Sequence, residues 1–308
     1  PPTFAPDPAI QAGSERWKDA FSGLGLVMEF LAGQIKRRAA PVCSIPVELT
    51  AQHIGRGPTR RREMISIDIS EYGDPLWTRV IRLPFSNYLK HWKNSSAHDL
   101  GIKDSFTPIF TVPLHEIDAT EAIKLRTHVR ETRELAQRAC VRIPEQSAGM
   151  ARLIDHYCCS SLRSFHCRYE QTDFEAGADL RDHLDDLPPC ARHIVEHPND
   201  LLLKPTGMKL VTRCLMANGI PPRQIAQMIT NTFRNPSYDW KDQWIIYSPE
   251  MRAQFYTRVF AGQILTGLDE QVDFNCVSTQ EQGFCFNPRG CNLKPWEEKL
   301  QSLKHQKT

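Results

Sequence analysis

No stretch of the 308 residues is long and apolar enough to span a bilayer; the longest apolar run, Gly23–Gly33, is interrupted by Glu29. Net charge is also nearly absent. The 38 basic and 36 acidic residues leave +2, so affinity for a polyanion would have to come from local basic patches. Composition excludes wholesale disorder, a collagen-like repeat and a coiled-coil rod, and no internal repeat is visible. The first residue is Pro1, not methionine, so the numbered chain is not expected to include the start of the gene product. Pro1–Gly13 is too proline-rich for a helix and too short and polar for a signal peptide. The expected compartment is therefore the cytoplasm, with no membrane partner.

The last absence is of any C-x-x-C pair, which removes support for zinc ribbons and thioredoxin-like sites. The chain nevertheless carries 10 cysteines. Without a secretory signal these are buried thiols, a reactive thiol or metal ligands. The densest group is Cys276, Cys285 and Cys291, spaced C-x8-C-x5-C and punctuated by Gly283, Pro288 and Gly290. A fourth ligand must come from afar. Cys190, after Leu187-Pro188-Pro189, opens what reads as a helix and is the best candidate. On spacing alone, metal binding and simple packing in a loop-rich core both remain open. Cys158, Cys159 and Cys167 read as core thiols, and Cys43, Cys140 and Cys214 as small apolar residues.

The hydrophobic fraction of 41% supports a buried core, and the length allows two domains. Periodicity predicts a helix over Ser14–Arg38 with Trp17, Phe21, Leu24, Met28 and Leu31 on one face. Short strands are expected at Val47–Ile54, Met64–Ile69, Trp77–Leu83 and Ile109–Val112. Gly55–Arg62, with Arg56, Arg60, Arg61 and Arg62, reads as a basic turn that could contact phosphate. Helices are expected over Asp118–Cys140 and Ala148–Arg163, then an acidic linker over Tyr169–Asp186. The last third is mostly helical: Cys190–Glu196, a helix capped by Thr206, one beginning at Pro221-Pro222, and Met251–Leu265. Leu300–Thr308 is expected to fray.

Two stretches resemble the archaeo-eukaryotic primase system. Asp68 ends Ile65-Ser66-Ile67-Asp68, and Val80-Ile81-Arg82-Leu83-Pro84-Phe85-Ser86, Lys90 and Val112-Pro113-Leu114 follow in order. This resembles the end of a primase catalytic domain, where a strand aspartate holds metal and a following strand binds nucleotide. Tyr88 and His91 stand where the family usually has histidine and threonine. The family's hydrophobic D-x-D strand is not in this chain, so either the missing carboxylates lie upstream or on a catalytic-subunit partner, or the polymerase site has decayed. The resemblance implies that Asp68 is catalytic, that Arg82, Ser86 and Lys90 bind nucleotide, and that Mg²⁺ or Mn²⁺ supports nucleotidyl transfer.

Leu187–Trp296 resembles the iron–sulfur domain of the large primase subunit. Its points of likeness are Pro188-Pro189-Cys190, the stretch Lys204–Ile225 and the three later cysteines. The resemblance implies a 4Fe–4S cluster on Cys190, Cys276, Cys285 and Cys291, with zinc as the alternative. It also implies template and initiating-nucleotide contacts from Lys204, Lys209, Arg213 and Arg223. Trp240 and Trp244 could stack on bases, or pack in the core.

The expected fold is thus an α+β N-terminal part followed by a mainly α-helical iron–sulfur domain. The expected divisions are a catalytic-like segment over 1–120, a helical connector and linker over 121–186, and a cysteine-ligated domain over 187–308. The expected activity is DNA-dependent primer synthesis or extension, a nucleotidyl transfer from nucleoside triphosphates on a single-stranded template. A non-catalytic nucleic-acid-binding primase subunit and a structural zinc protein are the alternatives.

Overall fold

The computed structural model describes residues 15–43, 47–49, 65–67, 69, 85, 87–91, 106–110, 121, 125, 128–139, 145–238, 240, 249–286 and 291–305. The described residues are mostly helical, with little strand. They fall into two compact units, one of 1–78 together with 148–308 and one of 79–147. The larger unit is therefore discontinuous in sequence.

In the smaller unit, β3 (Asn87–His91) and β4 (Phe106–Phe110) form an antiparallel pair with Asn87 opposite Phe110. Helix α2 (Val129–Arg138) follows. The strands expected at Trp77–Leu83 and the basic turn lie outside the described residues.

In the larger unit, α1 (Glu15–Ala39) packs on β1 (Val47–Leu49), which pairs in parallel with β2 (Ile65–Ile67). A buried ion pair, Lys36 Nζ to Glu48 Oε2 at 2.8 Å, joins α1 to β1. The buried face of α1 is not the expected one. Val27 and Phe30 are buried while Met28 is 37% exposed. The rotation has a polar cause. Glu29 is turned inward, accepting from His166 Nε2 at 3.0 Å and from Arg258 Nε at 3.0 Å. His166 Nδ1 in turn bonds the Tyr157 hydroxyl at 2.9 Å.

The helix expected over Ala148–Arg163 is two helices, α3 (Ser147–Cys158) and α4 (Ser161–Gln171). Ser160 breaks them apart, because its hydroxyl accepts the Arg163 N–H and caps α4. Cys158 and Cys159 are exposed at this break, not in the core. The expected acidic linker is also packed structure. Leu180–Asp186 is a 3₁₀ helix closed by an Asp179–Asp182 capping box, with Leu180 fully buried.

Next come α5 (Pro189–Glu196), the single turn α6 (Pro198–Leu201), α7 (Pro205–Ala217), α8 (Pro222–Arg234) and α9 (Pro249–Leu265). The proline at N1 of α5, α7 and α8 lacks the N–H that a first turn leaves unbonded anyway. Helix α7 is buried all round over Gly207–Met216, so it is the core of this unit, with α5, α8 and α9 packed on it. The last helices are α10 (Cys276–Glu281) and α11 (Lys294–His305). The C-terminal segment does not fray at Leu300, which is fully buried on the α11 face that meets α7 and α9. No described helix is long and apolar enough to cross a membrane.

Candidate metal centre

Cys190 is the second residue of α5 and is 3% exposed. Its thiol is pushed up to about 12, first by burial, and further by the charge that Cys291 and Cys285 would carry. The Ala191 N–H works the other way. The Cys291 thiol is raised too, first by burial and then by Cys276 and Cys285. Charge on Cys285 would thus be felt at both Cys190 and Cys291, and charge on Cys276 at Cys291, although the expected ligands span a hundred residues of sequence.

Packing accounts for this meeting. Phe286, next to Cys285, stacks on His193 of α5 with ring centroids 3.7 Å apart. Trp296 at the start of α11 donates its indole N–H to the Asp186 carbonyl at 3.2 Å, just ahead of α5. These two contacts hold both sides of the Cys285–Cys291 segment against the start and middle of α5. Gly207 clears space below. A Cβ there would run into the Leu201 carbonyl, while Phe284, 4% exposed, would be in ordinary contact with it.

Cys276 arrives by another route. Arg213 of α7 is 2% exposed. It donates to Asp269 Oδ2 at 2.9 Å, to Asp269 Oδ1 at 2.6 Å and to Asp273 Oδ1 at 2.8 Å. Lys209 Nζ lies 3.7 Å from Asp273 Oδ2. Burial opposes all of these charges. The pairing outweighs it, holding Arg213 above and both aspartates below their ordinary ranges, Asp273 at about 2. This clasp fixes the loop that continues through Phe274 and Asn275 into Cys276. Asn275 caps α10 by accepting the Ser278 N–H at 2.9 Å.

Among the described residues, no three cysteine sulfurs lie within 4.8 Å of one another, and no disulfide is present. A single tetrahedral zinc on four thiolates needs sulfurs about 3.8 Å apart, from Zn–S bonds of about 2.3 Å. The set is wider than that. Cys214 is fully buried on α7 beside Cys190, and its thiol is raised well above the ordinary range by burial first and then by Cys190. It faces the core as a small apolar residue, as expected. Cys140 lies outside the described residues.

The other expected site residues separate into two groups. Asp68, Arg82 and Ser86 lie outside the described residues, as does Trp244. Lys90 is on β3, and its side chain also lies outside them. In the larger unit, Lys209 and Arg213 turn inward to the aspartates instead of facing solvent. Arg223 donates to the Tyr169 carbonyl at 3.1 Å and lies 3.3 Å from the Glu170 carboxylate, which ties α8 to α4. Lys204, the N-cap of α7, is exposed, with its ammonium 6.0 Å from the Phe284 ring centre. Trp240 is partly buried, edge-on to Phe233, which is the packing alternative.

One group escaped the reading of the sequence. His193, Glu196 and His197 bring their ligand atoms within 4.8 Å of one another at the end of α5. The signal was the H-x-x-E-H spacing, which puts the histidines one turn apart. No family model, curated protein or solved structure matches the chain.

Proposed function

We propose that the larger unit carries a 4Fe–4S cluster on Cys190, Cys276, Cys285 and Cys291, within a primase-type nucleotidyltransferase. The observation that carries the reading is the packing that brings the residues next to Cys285 and after Cys291 to the helix of Cys190: Phe286 stacks on His193 at 3.7 Å, and the Trp296 indole bonds the Asp186 carbonyl at 3.2 Å. Burial and the neighbouring thiols keep Cys190 and Cys291 protonated until a cationic centre takes up the charge of their thiolates. Their separation favours a cluster over one zinc ion, because a cluster spreads its four ligands across several metal atoms.

Support for the wider assignment comes from the sequence: the Asp68–Lys90 stretch and the order of Pro-Pro-Cys, helices and three later cysteines. In this reading Asp68 would hold Mg²⁺ or Mn²⁺, which activates the primer hydroxyl and neutralises the triphosphate. Arg82, Ser86 and Lys90 would hold the incoming nucleotide. Lys204, the exposed cation beside Phe284 and so near Cys285, would receive phosphate from the template–primer end. Lys209 and Arg213 would serve it indirectly, by holding the Cys276 loop.

The test is purification without oxygen, with iron, sulfide and zinc measured. About four irons per chain are expected, and Cys190→Ser or Cys285→Ser should lose them. No metal, or iron unchanged in both variants, would sink the cysteine assignment. For the activity, the chain is incubated with a single-stranded template and nucleoside triphosphates, alone and with any catalytic partner that co-purifies. Incorporation abolished by Asp68→Ala supports nucleotidyl transfer. The absence of a D-x-D strand favours a second reading, a non-catalytic nucleic-acid-binding subunit. That reading requires single-strand binding with a steep salt dependence and no incorporation without a partner.

A further inference from the structure

We propose that His193, Glu196 and His197 form a second metal site, taking one divalent transition-metal ion of the zinc class at the C-terminal end of α5. It shares no ligand with the four cysteines and does not rest on their assignment. The donor set is two imidazoles and a carboxylate, all within 4.8 Å of one another. That set suits zinc, copper or nickel, and it is poor for the softer thiophilic ions. Binding at about 2.0–2.1 Å needs neighbouring ligand atoms roughly 3.3 Å apart in a tetrahedral site. Side-chain rotation at an exposed helix end supplies that closure, since Glu196 and His197 are both exposed.

Two contacts prepare the imidazoles. His197 Nδ1 lies 3.3 Å from the His193 carbonyl oxygen. The tautomer that donates this bond carries its proton on Nδ1 and leaves the Nε2 lone pair for a metal, the usual way a backbone carbonyl orients a histidine ligand. Phe286 stacks on His193 at 3.7 Å and holds that ring, while His197, stacked on it at 4.3 Å and 25° from parallel, turns out of the stack so that both in-plane lone pairs meet one ion. The ion would also sit at a helix C-terminus, whose partial negative charge favours a cation. Three protein ligands leave a fourth position for water, so the site is open. Because Phe286 stacks on His193, an ion there also steadies the segment that follows Cys285.

Cobalt(II) reads the two kinds of site apart. Untagged protein, carrying whatever metal its cysteines hold, is titrated with Co²⁺ under anaerobic conditions, with optical spectra and metal analysis after dialysis. The expected result is one additional Co²⁺ per chain, with weak ligand-field bands and none of the intense sulfur-to-cobalt absorption of a thiolate site. His197→Ala removes an exposed side chain and should weaken binding by at least about tenfold. Glu196→Gln should weaken it as well, and Cys285→Ser should leave the additional ion in place. Equal affinity in the wild type and His197→Ala overturns the proposal. So does an additional ion with strong sulfur-to-cobalt absorption, or no additional ion at all.

Discussion

Replacing Arg213 by methionine tests whether this cation is a structural clasp or a nucleic-acid contact. The guanidinium makes three hydrogen bonds of 2.6 to 2.9 Å to Asp269 and Asp273, and all three side chains are at most 7% exposed. Methionine keeps the volume and removes the charge. Two buried carboxylates then face one ammonium, Lys209, which lies 3.7 Å from Asp273. Removing one partner of a buried pair costs about 3–5 kcal/mol, because the other is left uncompensated in a poor solvent. With a urea slope of about 2–3 kcal/mol/M, the midpoint should fall by roughly 1–2 M. Equilibrium urea unfolding followed by far-UV circular dichroism at pH 7 measures this. The sign of the pH dependence follows. The aspartates are depressed in the native protein, so their stabilisation is present above about pH 4 and lost as pH falls through their native values. The gap between wild type and Arg213→Met should therefore be widest near neutrality and narrow in acid. Adding Asp269→Asn to Arg213→Met should cost less than it does in the wild type, since the carboxylate it removes is no longer paired. A loss below about 1 kcal/mol, or full additivity, would refute the clasp. If the cysteines hold the proposed cluster, the variant should also lose iron to a chelator faster, because the Asp269–Asp273 loop leads into Cys276.

Three further outcomes are expected. Gly207→Ala should lower stability by about 1–3 kcal/mol, since a Cβ meets the Leu201 backbone and neither side can yield cheaply; an unchanged melting temperature would show that α7 shifts to make room. Glu29 is opposed by burial but held below its ordinary range by Arg258 and His166, so its share of stability is present above about pH 4.3 and vanishes in acid. Glu29→Gln should destabilise at pH 7 and flatten the acid limb of the stability curve, and parallel curves for the two proteins would contradict this. If single-stranded DNA binds, Lys204→Ala should reduce the slope of log K against log salt by about one, whereas Lys209→Ala should reduce stability; a salt slope moved by Lys209→Ala in a fully folded protein would reverse the assignment.

What the sequence made legible was local. Helix α8 could be read from Pro221-Pro222 and from Ile225, Met228, Ile229 and Phe233, all at most 3% exposed. The break at Ser160 could have been read too, since a serine three residues ahead of its N–H partner is a capping signal, but the apolar pattern continues across it. The misplaced face of α1 could not. Glu29 is buried because of His166 and Arg258, which are 137 and 229 residues away, and no periodicity records them. Lys209 and Arg213 fail for the same reason. Their aspartates lie in a later loop, 56 and 60 residues beyond Arg213, so both cations look like a solvated helix face. The cysteines are a mixed case: Cys285 and Cys291 lie outside helices, as the glycine and proline punctuation suggested, and a proline pair marked Cys190 as a helix start, but Cys276 opens α10 instead of sitting on a loop.

The internal use of cations constrains where a polyanion could meet this protein. A chain with net charge +2 has little general attraction for nucleic acid, so binding depends on which basic groups face outward. In the larger unit, Lys36, Lys209 and Arg213 are spent on buried carboxylates, and Arg258 on Glu29. Arg192 and Arg223 are partly engaged by Leu184, Asp185 and Glu170. Among the described residues near the cysteine set, Lys204 faces solvent at the start of α7, beside Phe284, and Lys294, three residues after Cys291, is also exposed, 3.9 Å from Glu298. The 3₁₀ helix that precedes α5 and packs on it is acidic, with Asp182, Asp185 and Asp186. A phosphate approaching the cysteine set is thus favoured on the Lys204 side and opposed on the Asp185 side. Reversing charge at Lys204, as in Lys204→Glu, should impair single-strand binding far more than Asp185→Lys helps it, because the aspartate acts only at a distance. Equal and opposite effects would mean that the sum of surface charge, not a located contact, governs the interaction.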